Sequence, residues 1–148
     1  MKLAFETDLF MPPISTVLSF LTDSAVICVD EIHHDKENGI VTIYLQRNEI
    51  TGYKKTLLGE IRPVYSRTKI KSVLTIMQVE EIIINVDDRL VTECNSCFTV
   101  LFGLKVDHNR LYLGSAEEAQ GQLLCQIIIK VKEMNIEFAD DMTRVDSK

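Results

Sequence analysis

Alternation of apolar and polar side chains is the feature that most constrains how this chain folds. In the stretch IVTIYLQR at 40–47, apolar residues occupy every second position, as in a strand with one buried face. Asn38 and Gly39 precede this stretch and tolerate the positive φ angles of a hairpin turn. The pattern predicts that AVICVDEIHH at 25–34 pairs with it as a β-hairpin.

The same period recurs in the middle of the chain. EIIINV at 81–86 and RLVTEC at 89–94 are separated by two aspartates that can turn the chain. FTVLFGLKV at 98–106 is followed by a short turn and by RLYLG at 110–114, which predicts a further hairpin. KIKSVLTIMQV at 69–79 fits a strand or a helix, and we favour a strand.

One helix is predicted before these strands and one after them. The first spans about residues 13–22, where two prolines suited to a helix start precede apolar residues at helical spacing. The second spans about residues 116–134 and opens with Ser115 and Glu118, the spacing of a capping box. Apolar residues recur along it at helical spacing: Ala116, Ala119, Leu123, Leu124, Ile127, Ile128 and Val131. The β-branched run IIIKV also suits a strand, but the repeated spacing and the cap favour a helix.

These elements together predict an α+β fold. We expect an antiparallel sheet of about six to eight strands, with one face packed by the two helices. The 148 residues suit one domain, which we assign to residues 1–139, and the polar residues 140–148 are expected to be a disordered tail. Apolar residues make up 46% and charged residues 26%, which excludes a chain that is disordered throughout.

The sequence leads us to expect a soluble, cytoplasmic protein. Its apolar runs are too short to span a membrane. Glu6 and Asp8 interrupt the N-terminal stretch before the apolar region of a secretory signal develops. In the reducing cytoplasm the four cysteines are expected to be free thiols or ligands rather than disulfides.

Cys94 and Cys97 in the stretch TECNSC form the first candidate site. The asparagine and serine between them suit a tight turn, which would bring the two sulfurs close together. A structural zinc ion needs four ligands, for which His33 and His34 are candidates, while a redox dithiol is expected at the start of a helix. We interpret the cysteines as small residues beside a turn and the histidines as exposed at a hairpin end. A zinc site and thiol chemistry are the alternatives.

A basic stretch at residues 53–71, here called the basic strip, is the second candidate site. It contains six basic residues and one acid, so it carries +5, and the net charge of −6 leaves −11 for the rest of the chain. Lysine and arginine contact phosphates, and tyrosine rings stack on bases, so the strip is a candidate site for nucleic acid or another polyanion. Its members are Tyr53, Lys54, Lys55, Arg62, Tyr65, Arg67, Lys69 and Lys71. The competing interpretation is the solvated face of a strand.

No phosphate loop, dinucleotide-binding glycine pattern or nucleophile elbow occurs in the sequence. We therefore favour a non-catalytic binding or interaction module without a cofactor, rather than an enzyme. Its partner would be a protein, a small apolar ligand held between layers, or a polyanion on the basic strip, but not a membrane, and a homo-oligomer is compatible with the sequence. The alternative is a thiol- or zinc-dependent protein or enzyme that uses Cys94 and Cys97.

Overall fold

The computed structural model describes residues 2–6, 18–86, 96–100, 103–114 and 125–146. These residues form one short helix, α1 at 18–22, and ten strands. The strands are β1 (Lys2–Glu6), β2 (Val26–Asp35), β3 (Ile40–Lys55), β4 (Ile61–Ile76), β5 (Val79–Val86), β6 (Cys97–Thr99), β7 (Lys105–Asp107), β8 (Arg110–Gly114), β9 (Cys125–Val131) and β10 (Asn135–Asp146).

The described strands form two antiparallel sheets rather than one. The larger sheet has the strand order β1-β10-β4-β3-β2-β6, and the smaller has the order β5-β9-β8-β7. The chain passes from the larger sheet to the smaller one after Ile76, through Gln78 with a φ of 59°. It returns to the larger sheet for β6, enters the smaller sheet again with β7, β8 and β9, and ends in the larger sheet with β10. The prediction of an α+β fold with a single sheet packed by two helices is therefore wrong, because the protein is mainly β.

Alternating side chains of both sheets and of α1 meet in one buried core. Burial of this apolar surface is the main force that holds the sheets together. The buried members are Leu18, Leu21, Ala25, Ile27, Val41, Ile43, Leu45, Leu74, Ile76, Val79, Phe98, Val100, Leu104, Leu111, Leu113, Cys125, Ile127, Ile129, Val131, Met134, Ile136 and Phe138.

The helix predicted at 116–134 is also wrong over its described part. Residues 125–131 form β9, in which Cys125, Ile127, Ile129 and Val131 are buried and alternate with more exposed residues. β9 pairs with β5 on one side and with β8 on the other, so it lies in the middle of its sheet. A run of consecutive β-branched residues satisfies a helical spacing and a strand spacing equally, and here strand pairing decides. The predicted cap and residues 115–124 lie outside the described residues.

The last strand extends beyond the C-terminal boundary predicted for the domain. Residues 140–146, which the sequence analysis places in a tail, belong to β10 and pair with residues 68–72 of β4. Of the helix predicted at 13–22, the described part is α1 at 18–22, and residues 13–17 lie outside the described residues.

Several of the predicted strand assignments are confirmed, and one is wrong. The predicted strands at 81–86 and 110–114 lie in β5 and β8, and β8 pairs with β7 across the predicted turn. The predicted strand at 89–94 lies outside the described residues.

β2 and β3 form the predicted hairpin, with Gly39 at a φ of 63° in the turn. Of residues 69–79, the strand favoured by the sequence is present at 69–76 in β4 and at Val79 in β5, and the two strands are separated at 77–78, where Gln78 has a φ of 59°. The long strand predicted at 98–106 is interrupted, because β6 and β7 belong to different sheets. Gly103 separates them at a φ of 79°, and a Cβ atom there would overlap the carbonyl oxygen of Ser19.

Candidate interaction surface

A two-stranded ribbon extends the larger sheet at one end. β3 and β4 are 16 residues long each, but β2 pairs with β3 only as far as Gln46, and β10 pairs with β4 only as far as Thr68. Residues 50–65 are therefore paired with each other and with no other described strand. We call these residues the arm. A two-stranded ribbon in water is at best marginally stable, so this element gains the most from a partner.

The tip of the arm is a well-formed turn. The amide of Thr56 donates a hydrogen bond to the carbonyl of Glu60 at 2.8 Å, and the amide of Gly59 donates to the carbonyl of Thr56 at 2.9 Å. The Thr56 hydroxyl also accepts a hydrogen bond from the Glu60 amide at 3.1 Å. With Gly59 at a φ of 82°, the turn presents Leu57 and Leu58 at its apex.

Large apolar side chains on the arm are unusually exposed. Leu57 and Leu58 are 107% and 89% exposed, and Ile61 and Tyr53 are 65% and 61% exposed. Five of the seven exposed large apolar residues in the described chain lie on the arm, with Val64 as the fifth. A concentration of apolar side chains on one projecting element indicates an interaction site, whereas scattered ones do not.

Basic side chains surround this apolar tip. Lys54 of β3 lies directly opposite Arg62 of β4, an arrangement of like charges that costs stability in the free ribbon. Arg62 forms a solvent-exposed ion pair with Glu60 at 3.3 Å, and with Lys55 the arm keeps a net charge of +2. The arm thus combines an apolar tip with an excess of positive charge.

Tyr65 fastens the base of the arm to α1. Its hydroxyl donates a hydrogen bond to the carbonyl oxygen of Phe20 at 2.9 Å. Burial, together with the charges of Asp23 and Tyr53, raises the pKa of Tyr65 to about 12, so the hydroxyl stays protonated and continues to donate. This predicted polyanion-binding residue therefore serves the fold, and Tyr53 remains as the exposed aromatic residue of the basic strip.

The remaining cations of the basic strip lie away from the tip. Nine residues of extended chain separate Arg62 from Lys71, which is roughly 30 Å. Arg67 and Lys71 are exposed, while Lys69 is half-buried, and the loss of solvent lowers its pKa. The structure thus divides the strip into a group on the arm and a group on the sheet.

Lys71 lines a groove of about 400 Å³ on the outer face of the larger sheet. The groove crosses β2, β3 and β4, and its lining mixes charged, polar and apolar residues. These are Val26, Cys28, Glu31, Tyr44, Leu45, Gln46, Lys71, Ser72, Val73 and Asp141. It lies outside the two layers, so it differs from the apolar pocket between layers that a small apolar ligand would require.

The cysteines pair differently from the sequence-based expectation. Cys28 of β2 and Cys97 of β6 lie opposite each other in the strand ladder and form a disulfide. Cys97 is therefore not available as a thiol or metal ligand in this state, and Cys94 lies outside the described residues. Cys125 is buried and takes no part in the disulfide, and its burial raises its pKa to about 11, which makes it a poor nucleophile.

The two histidines are placed on opposite faces of β2. The ring of His33 packs edge-on against Tyr44, with ring centroids 5.7 Å apart, and His34 is half-buried on the other face. Asp35 accepts hydrogen bonds from the side chain and the backbone amide of Asn38, which lower its pKa. Within the described residues, no group of three histidine, cysteine, aspartate or glutamate side chains is placed to hold a metal ion.

A buried ion pair supports the sheet where the arm begins. Arg47 donates two hydrogen bonds to Asp140, from Nε at 2.9 Å and from a terminal nitrogen at 2.7 Å. The hydroxyl of Ser72 donates a third hydrogen bond to Asp140 at 2.6 Å. The two charged side chains are 6% and 2% exposed, so the network joins β3, β4 and β10 inside the protein. The inward position of Arg47, two residues after Leu45 in the alternating pattern, was the available sequence signal for it.

Comparisons with family models, with curated proteins and with solved structures give no match. No helix among the described residues is long and apolar enough to cross a membrane. The functional argument therefore depends on the geometry and chemistry of the arm.

Proposed function

We propose that this protein is a non-catalytic interaction module that docks onto a protein partner through the arm. The observation that carries this proposal is the exposure of Leu57 and Leu58 at the apex of a ribbon that also bears Lys54, Lys55 and Arg62. Full burial of one leucine side chain contributes roughly 1.5–3 kcal/mol, so the apex alone offers a large share of a binding free energy. Interfaces typically place such apolar residues at their centre and charges at their rim.

The same observations favour a protein over the other partners considered. Phosphate groups gain no favourable contact from the apolar side chains at the apex of the arm. The hydroxyl of Tyr65 already donates a hydrogen bond to the carbonyl oxygen of Phe20 within the fold. The cations of the basic strip are divided between the arm and the sheet, so they do not form one continuous surface for a polyanion. The lining of the groove beside Lys71 includes Glu31 and Asp141 among its polar and apolar residues, so the groove is less suitable for an apolar ligand.

The compartment is a separate proposal. The sequence alone favours the cytoplasm, whereas the pairing of Cys28 with Cys97 favours an oxidising environment, because reducing compartments keep thiols free. We propose an oxidising compartment, because strand register brings these two cysteines together over a sequence separation of 69 residues.

A photo-activated cross-linking amino acid at position 58 tests the docking function in the cells that make the protein. The matched control carries the same amino acid at Asp107, which is exposed on β7 far along the chain from the arm. We expect protein adducts from position 58 that are absent from position 107 and that are lost when Lys54 and Lys55 are both replaced by glutamate. Equal adduct patterns from the two positions would refute the docking function.

A further inference from the structure

We infer that the groove on the outer face of the larger sheet is a binding site for a basic α-amino acid, of the chemical class of arginine and lysine. The groove is formed by different residues from the arm, so this inference goes beyond the proposed docking function. Three features support it: the two bulges that form its walls, the contacts that fix these walls, and the arrangement of charge in its lining.

Two β-bulges form the walls of the groove. In the pairing of β2 with β3, residues 28–31 stand opposite Tyr44 alone. In the pairing of β10 with β4, residues 141–143 stand opposite Lys71 alone. Bulges are frequent next to active sites, where they re-aim side chains. Here each bulge contributes a carboxylate to the lining, and the two residues opposite the bulges form part of the floor between them.

Both walls are fixed by contacts beside the bulges. Cys28 opens the first bulge, and its disulfide to Cys97 joins β2 to β6. Asp140 directly precedes the second bulge, and it accepts the hydrogen bonds from Arg47 and Ser72. A site whose walls are already held in place binds its ligand with little loss of conformational freedom. The disulfide and the buried ion pair therefore preorganise the groove.

The charged residues in the lining match the three charges of a basic amino acid. Those that the described chain contributes are Glu31, Lys71 and Asp141, and all three are exposed to solvent. Lys71 stands opposite the bulge that begins with Asp141, so these two residues suit the α-carboxylate and the α-ammonium of one ligand. Glu31, on the other wall, then binds the cationic end of the ligand's side chain.

The width of the groove favours a long side chain. β10, β4, β3 and β2 are consecutive in the sheet, so the two walls are three strand spacings, or roughly 14 Å, apart. A short amino acid cannot contact both carboxylates, whereas an extended arginine or lysine can. The ring of Tyr44 lies between the walls and is 44% exposed, which suits the aliphatic stem and the cation of such a side chain. The volume of about 400 Å³ is in the range of small-molecule sites.

NMR titration of the isotope-labelled protein with L-arginine tests the site. We expect saturable shifts of the backbone amides in residues 28–31, 44–46 and 71–73, and none in the arm. Three relatives of arginine each lack one of its charges: citrulline lacks the side-chain cation, agmatine lacks the carboxylate, and N-acetylarginine lacks the α-ammonium. Each should bind about tenfold more weakly than arginine, because one hydrogen bond between charged groups is lost.

Two variants assign the charges to residues. Glu31→Gln should weaken arginine about tenfold and leave citrulline unaffected, because the lost carboxylate contacts only the side-chain cation. Lys71→Met should weaken arginine similarly and leave agmatine unaffected. Matched controls are Glu81→Gln on β5 and Lys105→Met on β7, which remove the same charges from exposed positions of the smaller sheet and should bind arginine as the wild type does.

The outcomes that overturn the inference are specific. Arginine that causes no saturable shifts in the groove overturns the site itself. Equal affinities for arginine, citrulline and agmatine overturn the ligand class. A Glu31→Gln variant that still prefers arginine to citrulline by the wild-type factor overturns the role of Glu31. Controls that weaken arginine as much as Glu31→Gln and Lys71→Met show that only the overall charge matters, which overturns the site as well.

Discussion

Replacing Asp140 with asparagine removes the negative charge that balances Arg47 inside the protein. Both side chains are almost fully buried, at 6% and 2% exposure, and the carboxylate accepts hydrogen bonds from Arg47 and Ser72. Removal of one partner of such a pair leaves an uncompensated buried charge and typically costs about 3–5 kcal/mol. Ser72→Ala removes one hydrogen bond of the same network and should cost about 1–2 kcal/mol.

Urea unfolding followed by circular dichroism measures these free energies. The informative control is the double variant R47M/D140L, which replaces the pair with apolar side chains and should recover much of the loss. An Asp140→Asn variant that loses less than about 1 kcal/mol would refute the reasoning that the pair is buried and desolvated.

The same network predicts a pH dependence. Burial alone would raise the pKa of Asp140, but the hydrogen bonds from Arg47 and Ser72 and the charge of Arg47 outweigh it, so the pKa lies below 3.8. Because the pKa is lower in the folded protein, this stabilisation is fully present above the pKa of the unfolded chain. It is lost as the pH falls through the folded pKa. In Asp140→Asn the unfolding free energy should therefore fall less steeply below about pH 4, and an unchanged slope would contradict the assignment.

Three further predictions concern the fold and the arm. Cys28→Ser with Cys97→Ser should lower the unfolding free energy by about 4 kcal/mol, and in the non-reduced, denatured wild-type protein neither cysteine should react with iodoacetamide. Gly103→Ala should destabilise the protein strongly, whereas Gly52→Ala, where a Cβ meets no atom within 4 Å, should have little effect on the melting temperature. Tyr65→Phe should cost about 1 kcal/mol and speed proteolysis within the arm, because its base is then less firmly held.

Each of these predictions has a result that would contradict it. Alkylation of both cysteines without reductant would argue against the disulfide. Equal melting temperatures for the two alanine variants would show that the close approach at Gly103 is not required. An arm cleaved at the wild-type rate in Tyr65→Phe would show that the hydrogen bond to α1 does not hold it.

The strands with one buried face were the part of the fold that the sequence predicts well. The hairpin of β2 and β3 combines an alternation of apolar and polar residues with a turn that contains Gly39. This alternation fits a strand with one buried face and does not fit a helix. β9 was missed because an uninterrupted apolar run carries no period, so a helix and a strand fit it equally. Its identity depends on pairing with β5 and β8, which are distant in the sequence.

The candidate site was only partly predictable for a similar reason. The positive charge of the arm is visible in the sequence, but the exposure of Leu57 and Leu58 is not, because it depends on where the neighbouring strands end. Two leucines before the glycine of a turn, between basic strands, were the available signal. The partner of Cys97 was not visible either, since strand register brings it to Cys28 across 69 residues.

Amide hydrogen exchange of the protein alone and bound to the partner that position 58 captures tests the central claim most directly. In the protein alone the arm amides of residues 51–64 should exchange quickly, because the arm is a two-stranded ribbon with no further neighbour among the described strands. In the complex the account predicts slower exchange in the arm, with no change in β9 between its two neighbours. Arm amides that exchange equally fast in both samples would contradict the account.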